Sequence, residues 1–377
     1  MSRRRNRAEL VVVGGGVIGL AVARVAAELE LDVLVLERGR VGSEASHAAA
    51  GMLSPIGEAL DPGPFLDFGL RSLRSYPAFA VELEEESGVE VGFEGGGKVR
   101  VALSPAEEGR LRRHHAWSAR SGFTTRWLDP AELARAEPAV APEARGGLLI
   151  EGDCRVDNRA LVQALLISAR RRGVEIREGE PVRGVQGEGG RIRGVRLSDG
   201  GIVEADTVLL AAGAWCAELE GLPFPIPIRP VRGQAVSLRP AAPISGRVLE
   251  SEEVYLVPRR DGRLIAGATV EEVGFRRELT AGGQASVLTA AIALAPELAN
   301  ARLEESWAGF RPGTPDGLPI LGEDPDMAGL FVATGHFRNG ILLAPETGRT
   351  LAHAIAGSGE DGPPEAFSPS RLRKARA

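Results

Sequence analysis

One pattern constrains this chain above all others: Gly14-x-Gly16-x-x-Gly19, because of what flanks it. Residues 10–13 read as a short buried strand, 14–16 as a tight turn, and 17 to about 29 as a helix of small and aliphatic residues. Residues 32–36 form the next strand, which runs into an acid, Glu37. In this β-α-β setting Gly14 permits the turn, Gly16 lets backbone N–H groups approach a pyrophosphate, and Gly19 lets helix and strand pack closely. The helix N-terminus adds partial positive charge toward the phosphates. Glu37 is suited to accept hydrogen bonds from ribose hydroxyls, and its charge would repel a 2′-phosphate, which disfavours NADP. The motif alone does not separate FAD from NAD. No second G-x-G-x-x-G stands between a strand and a helix, so a single tightly held dinucleotide reduced directly by substrate is expected, and FAD fits that better.

The same glycines decide another question. A basic start, residues 1–7, precedes an apolar run over 10–27 and so imitates a secretory leader, but Gly14, Gly15, Gly16, Gly19 and Arg24 break the run. No other stretch approaches the length needed to cross a bilayer. With 377 residues, 44% hydrophobic and 25% charged, the chain has ordinary globular composition and length for two domains. Its formal net charge of −6 argues against nucleic acid or anionic lipid as a partner. Cys154 and Cys216 form no CxxC, so they read as small buried thiols. None of the five histidines has metal-ligand spacing, and no metal is expected.

Beyond the opening unit, a helix-rich stretch runs to Ser87 and Gly88 ends it. Residues 89–103 alternate around Gly95-Gly-Gly97 and look like a hairpin. A helix is expected over 156–172, strands over 174–176 and 192–197, and a strand over 207–211 that delivers Ala212-Gly-Ala214 at its C-terminal end. Prolines at every second or third position from 223 to 230 mark a crossing between domains. Antiparallel strands are expected near 234–238, 254–258 and 264–268, then a helix over 284–295. Gly, Pro, Ser and charge after Gly357 suggest a loose tail.

Five segments together resemble the D-amino-acid oxidase superfamily, and within it the glycine oxidase family. They are Val13-Gly-Gly-Gly-Val-Ile-Gly-Leu20, Ala48-Ala-Ala-Gly-Met52, Thr207-Val-Leu-Leu-Ala-Ala-Gly-Ala-Trp215, Trp307-Ala-Gly-Phe-Arg-Pro-Gly-Thr-Pro-Asp-Gly317 and Gly335-His-Phe-Arg-Asn-Gly-Ile-Leu-Leu-Ala-Pro345. The resemblance covers residues 10 to about 356 and implies an α/β fold. A Rossmann-like FAD domain would comprise 8–88, 150–222 and 307–360. An α+β substrate domain on a mixed or antiparallel sheet would comprise 89–149 and 223–306, with 361–377 as the tail. It implies FAD-dependent oxidative deamination of glycine, or of sarcosine or small D-amino acids, with dioxygen reduced to peroxide. A role in thiazole formation for thiamine, a cytoplasmic location and homo-oligomeric assembly go with it.

By motif position, Tyr255 and Arg311 match the pair that holds substrate carboxylate, and Arg338 a second active-site arginine. The resemblance assigns the cofactor to Gly14, Gly16, Val17, Ile18, Gly19, Glu37, Ala49, Ala50, Gly51, Met52, Val182, Ala212, Gly213, Trp215, Arg311, His336, Arg338, Asn339, Gly340 and Ile341. Met52, Glu253 and Val270 are expected in the substrate pocket. Glu253 stands where the family pattern has a histidine and Val270 where it has a methionine, so the choice among small amino acids stays open. His47 lies one residue out of register with the segment that carries a covalent flavin link in some relatives, and no cysteine lies beyond Cys216, so FAD is expected to be noncovalent.

The residues themselves agree. Arg311 precedes Pro312-Gly313, a turn that fixes its backbone, and a guanidinium fork is the natural bidentate partner of a carboxylate. Tyr255 lies in an expected strand among apolar residues, where its hydroxyl needs a buried partner. Arg338 sits in a turn feeding an apolar helix, whose N-terminus is suited to stabilise negative charge. A structural salt bridge for Arg311, a purely structural role for Arg338 and plain core packing for the tyrosine are the alternatives. At the level of function, the alternatives are a D-amino-acid dehydrogenase passing electrons to a quinone and an RNA-modifying flavoprotein. The first would be reduced by substrate yet reoxidise slowly in air. The second would need a basic face that this acidic chain does not suggest.

Overall fold

The computed structural model describes residues 6–58, 62–359 and 362–374. The strand Arg7–Val13 alternates its buried side chains between two faces of a sheet, as a period of two requires. Leu10 and Val12 pack with helices Val17–Glu28, Pro64–Ser87, Asn158–Arg171 and Gly340–Ala356. Val11 and Val13 face the opposite layer, where the hairpin strands Val182–Glu188 and Arg191–Leu197 and the side chain of Phe310 cover them. Arg7–Val13 pairs in parallel with Val33–Glu37 on one side and Ile202–Leu210 on the other, and Leu330–Thr334 extends the parallel set. This first sheet runs from Ile320–Glu323 at one edge to Glu175–Glu178 at the other.

A second sheet of eight strands is antiparallel apart from one pair. Its order is Arg302–Gly313, Arg229–Arg239, Leu264–Gly267, Tyr255–Pro258, Val248–Glu250, Lys98–Ala102, Gly146–Ile150 and Thr125–Leu128. One face buries Val236, Leu238, Leu249, Leu256 and Ala266 against helix Ala281–Leu294. The other face turns toward the first sheet and carries the site. A two-stranded piece, Met52–Leu53 with Cys154–Arg155, bridges the layers.

Three expectations are corrected. Residues 307–313, assigned to the dinucleotide unit, belong to the strand Arg302–Gly313, which pairs along its length with Arg229–Arg239 in the second sheet. Residues 89–103 form no hairpin; Lys98–Ala102 pairs instead with Gly146–Ile150, and Glu94 makes only an isolated bridge to Arg155. The tail is packed over 362–374: Phe367 is fully buried edge-on against Phe68, and Arg371 and Arg373 bind Asp316 and Asp324. The aromatic anchor and alternating arginines outweigh the loop-like composition around them. The helix stop at Gly88 is as expected, at φ 73°.

Candidate active site

At the glycine turn, backbone must pass where a side chain cannot. Gly14 has φ +110°, and a Cβ there would lie 2.5 Å from the Ala211 carbonyl oxygen. A Cβ on Gly19 would lie 2.0 Å from the Gly14 oxygen, so this glycine sets helix against strand; assigned to the cofactor by the resemblance, it lines neither cavity. Glu37 is buried, and its carboxylate accepts from the backbone N–H of Gly15 at 2.8 Å and of Gly39 at 2.8 Å. It thus braces the turn while still lining the cavity. Ser46, which no motif signalled, accepts from the Val17 N–H at 3.0 Å at the first turn of the helix.

The turn opens a cavity of about 380 Å³. Of the residues assigned to the cofactor, Gly14, Gly16, Val17, Ile18, Glu37, Ala49, Val182, Ala212, Gly213, Trp215, His336, Arg338, Gly340 and Ile341 line it. Arg38 stacks on Trp215 at 3.6 Å and Phe275 stacks on the same indole, with ring centroids 4.9 Å apart. His336 is buried against Thr347, and burial pushes its imidazole down to about 3, so it is neutral. Two helix N-termini, at Val17 and Gly340, meet this space.

Ala50, Gly51, Met52, Arg311 and Asn339, also assigned to the cofactor, line a second, smaller cavity of about 190 Å³ instead. It adjoins the first: Ala45, Ala49, Phe310, Phe337, Arg338 and Ile341 line both. The segment between them is fixed from several sides. Gly51, at φ +70°, lies against Val156, and Arg259 donates to the Ala50 oxygen at 3.0 Å and to Asn158 at 2.9 Å. Trp307 donates to the Ala48 oxygen at 3.1 Å.

Sheet register builds the second cavity. Trp307, Gly309 and Arg311 alternate onto one face of their strand, opposite Ala235, Gly233 and Val231. Tyr255 pairs with Gly267 on one side and Glu250 on the other. Gly233 leaves room for the Arg311 guanidinium, which would meet a Cβ at 2.5 Å, and Gly267 leaves room for the Tyr255 hydroxyl, at 2.7 Å. Arg311 is held by the Thr269 oxygen at 3.1 Å. Burial raises the Tyr255 phenol, against the pull of Arg311 and Arg338, so it stays a neutral donor at physiological pH. Arg338 is exposed and lines both cavities, and Glu253 and Val270 line the second. His47 lines neither.

These residues fit FAD. The close-approach glycines and paired helix N-termini suit a pyrophosphate, Trp215 and the Arg38 stacked on it form part of the wall, and the cavity continues to the arginine that borders the second one.

Comparison with known proteins bears this out. The chain is 36% identical to the glycine oxidase of Geobacillus kaustophilus over 353 residues, 93% of each chain. It is 40% identical to the bifunctional protein ThiO/ThiG of Synechocystis sp., matching 98% of this chain but spanning only 54% of that protein. The crystal structure of the Geobacillus kaustophilus glycine oxidase superposes with a TM-score of 0.92, at 35% identity, covering 96% of this chain and 98% of that one. Residues 9–354 match the family model described as DAO, FAD dependent oxidoreductase. This chain therefore belongs to the D-amino-acid oxidase (DAO) family of FAD-dependent oxidoreductases, with glycine oxidases among its near-full-length relatives.

Proposed function

We propose that this chain oxidises glycine: glycine, dioxygen and water give glyoxylate, ammonia and hydrogen peroxide through an imine that water cleaves. The observation that carries the reading is the pairing of Arg311 with Tyr255 over two glycines, beside the dinucleotide cavity. When bound, FAD supplies the two-electron acceptor. The chain's own residues position the substrate. The Arg311 fork and the neutral Tyr255 hydroxyl take the carboxylate, Arg338 adds positive charge where the two cavities meet, and Ala48, Ala50, Met52 and Ala235 form apolar walls. Orienting the α-carbon in this way is the main contribution asked of the protein.

Neither Cys154 nor Cys216 lines either of these two cavities, and noncovalent FAD is part of the reading. Among the described residues no helix is long and apolar enough to cross a membrane. A cytoplasmic setting, homo-oligomeric assembly and a part in thiazole formation for thiamine complete the reading, and they follow from the family resemblance.

The test is a panel of glycine, sarcosine and small D-amino acids, scored by loss of the oxidised-flavin absorption without oxygen and by peroxide in air. Glycine should do both. Reduction with little peroxide points to a quinone-linked dehydrogenase, and an enzyme inert to the whole panel that binds tRNA would replace the reading.

A further inference from the structure

The second cavity offers Arg311 and Tyr255 to the acid end of an amino acid, and a further charged cluster borders it. Glu250 is the register partner of Tyr255 on one side and of Arg100 on the other, so the three side chains share one face as neighbours in a row. Glu250 lines the cavity. Behind it, Lys98, one of only two lysines in the chain, is 1% exposed and reaches the Glu250 carboxylate at 2.9 Å. Arg100 reaches the other carboxylate oxygen at 3.1 Å. Asp153, 3.7 Å from the lysine and hydrogen-bonded by Ser54, brings a second negative charge, so the two cations and two carboxylates balance. Burial pushes the Glu250 carboxyl up, but Lys98 and Arg100 outweigh it and hold it below the usual range, leaving it anionic. A carboxylate has about four acceptor positions, more than its two ion pairs occupy, and Glu250 lines the cavity.

We propose that Glu250 is the amine-binding residue of this cavity, accepting a hydrogen bond from the substrate nitrogen while Arg311 and Tyr255 hold the carboxylate, with Lys98 and Arg100 as the positioning residues that aim it. This rests on the reading of the cavity as an amino-acid site. Glu250 and Tyr255 are cross-strand neighbours, and both line the cavity that Arg311 also lines. Glu252 and Glu253 line the same wall but are exposed, and Glu252 is paired with Arg110; solvent screens their charge.

The experiment compares two ligands that differ in the amine. In the holoenzyme, kcat/KM for glycine and the Kd of acetate, read from perturbation of the flavin absorption band, are measured for wild type, E250Q, K98M/E250L and E253Q. The double variant removes the ion pair together, which spares the fold a stranded buried lysine. The expected result is a fall of about tenfold or more in glycine kcat/KM in both Glu250 variants, the scale of one charge-assisted hydrogen bond, with acetate affinity within about twofold of wild type. Equal weakening of both ligands, no change in either, or a selective loss in E253Q instead would each overturn the proposal. A wild-type enzyme that oxidises no amino acid at all would remove the underlying reading, and is distinguished by the wild-type panel alone.

Discussion

The two sheets use glycine for opposite ends. In the first, glycine lets backbone meet backbone: a methyl on Gly14 or Gly19 would run into a main-chain carbonyl oxygen at 2.5 or 2.0 Å. In the second, Gly233 and Gly267 clear space for side chains, the guanidinium of Arg311 and the phenol of Tyr255. The glycine turn on the first sheet is therefore fixed by main-chain contacts with no alternative position, whereas the seat on the second is made by side chains that can shift. Substitution should separate the two: on the first sheet it should cost the cofactor and the fold together, and on the second the substrate alone.

The severest test is Gly19→Ala. The added methyl has nowhere to go except by parting the helix from the strand, and overpacking against backbone costs about 3 kcal/mol or more. Purified protein should carry little flavin and melt well below wild type; a yellow protein of normal Tm would break the comparison. Next comes Arg311→Ala. Removing one partner of a desolvated charge pair costs roughly 2–5 kcal/mol, so glycine kcat/KM should fall by about 100-fold or more while flavin content stays at the wild-type level. Equal loss of both would mean that Arg311 serves the cofactor.

The same contrast explains what could be read from the sequence. The first sheet's chemistry is local: Gly14, Gly16 and Gly19 lie within six residues, so spacing carried the meaning, and Glu37 closes the same β-α-β unit. The second sheet's chemistry is non-local. Gly233, Glu250, Tyr255, Gly267 and Arg311 become neighbours only through strand pairing, and no periodicity reports register between distant strands. Tyr255 and Arg311 were found through family resemblance, while Lys98, Arg100 and Glu250 had no signal beyond charge in an alternating strand. Ser46 and Arg259 were missed for the same reason, since each contributes a bond to backbone far away in the chain. Ala50, Gly51 and Asn339, assigned to the cofactor by the resemblance, line the second cavity, where the chain passes from one cavity to the next.

Gly267→Ala probes the seat of a side chain directly. A Cβ would stand 2.7 Å from the Tyr255 hydroxyl, and the ring can tilt where a backbone cannot. We expect glycine kcat/KM to fall about tenfold, one hydrogen bond's worth in a partly desolvated site, with flavin content and Tm near wild type. Loss of flavin here would show that the two sheets are less separable than their packing suggests.

The smallest effect sharpens the contrast through pH. The segment after Gly267 lies over Arg311 and is tied down by Glu271, which binds the buried Arg232 and Gln234 and accepts from Thr269. Burial alone would raise the Glu271 carboxyl, but its bonds to Arg232, Thr269 and Gln234 outweigh that and hold it down to about 2, against an ordinary value of 4.5. A folded-state value below the unfolded one gives stability that is fully present above pH 4.5 and is lost as pH falls through the window toward 2. Because the carboxylate is partly open to solvent, about 1 kcal/mol is the appropriate scale. Acetate binding should therefore weaken severalfold between pH 5 and pH 3.5 beyond what titration of acetate itself accounts for. Glu271→Gln should bind more weakly at pH 7 and lose that excess acid dependence. Glu271 lines neither cavity, so flavin release should follow the acid unfolding of the whole protein. An E271Q protein with an unchanged acid profile would show that the segment is held by its packing, with Phe275 on Trp215 as the principal contact.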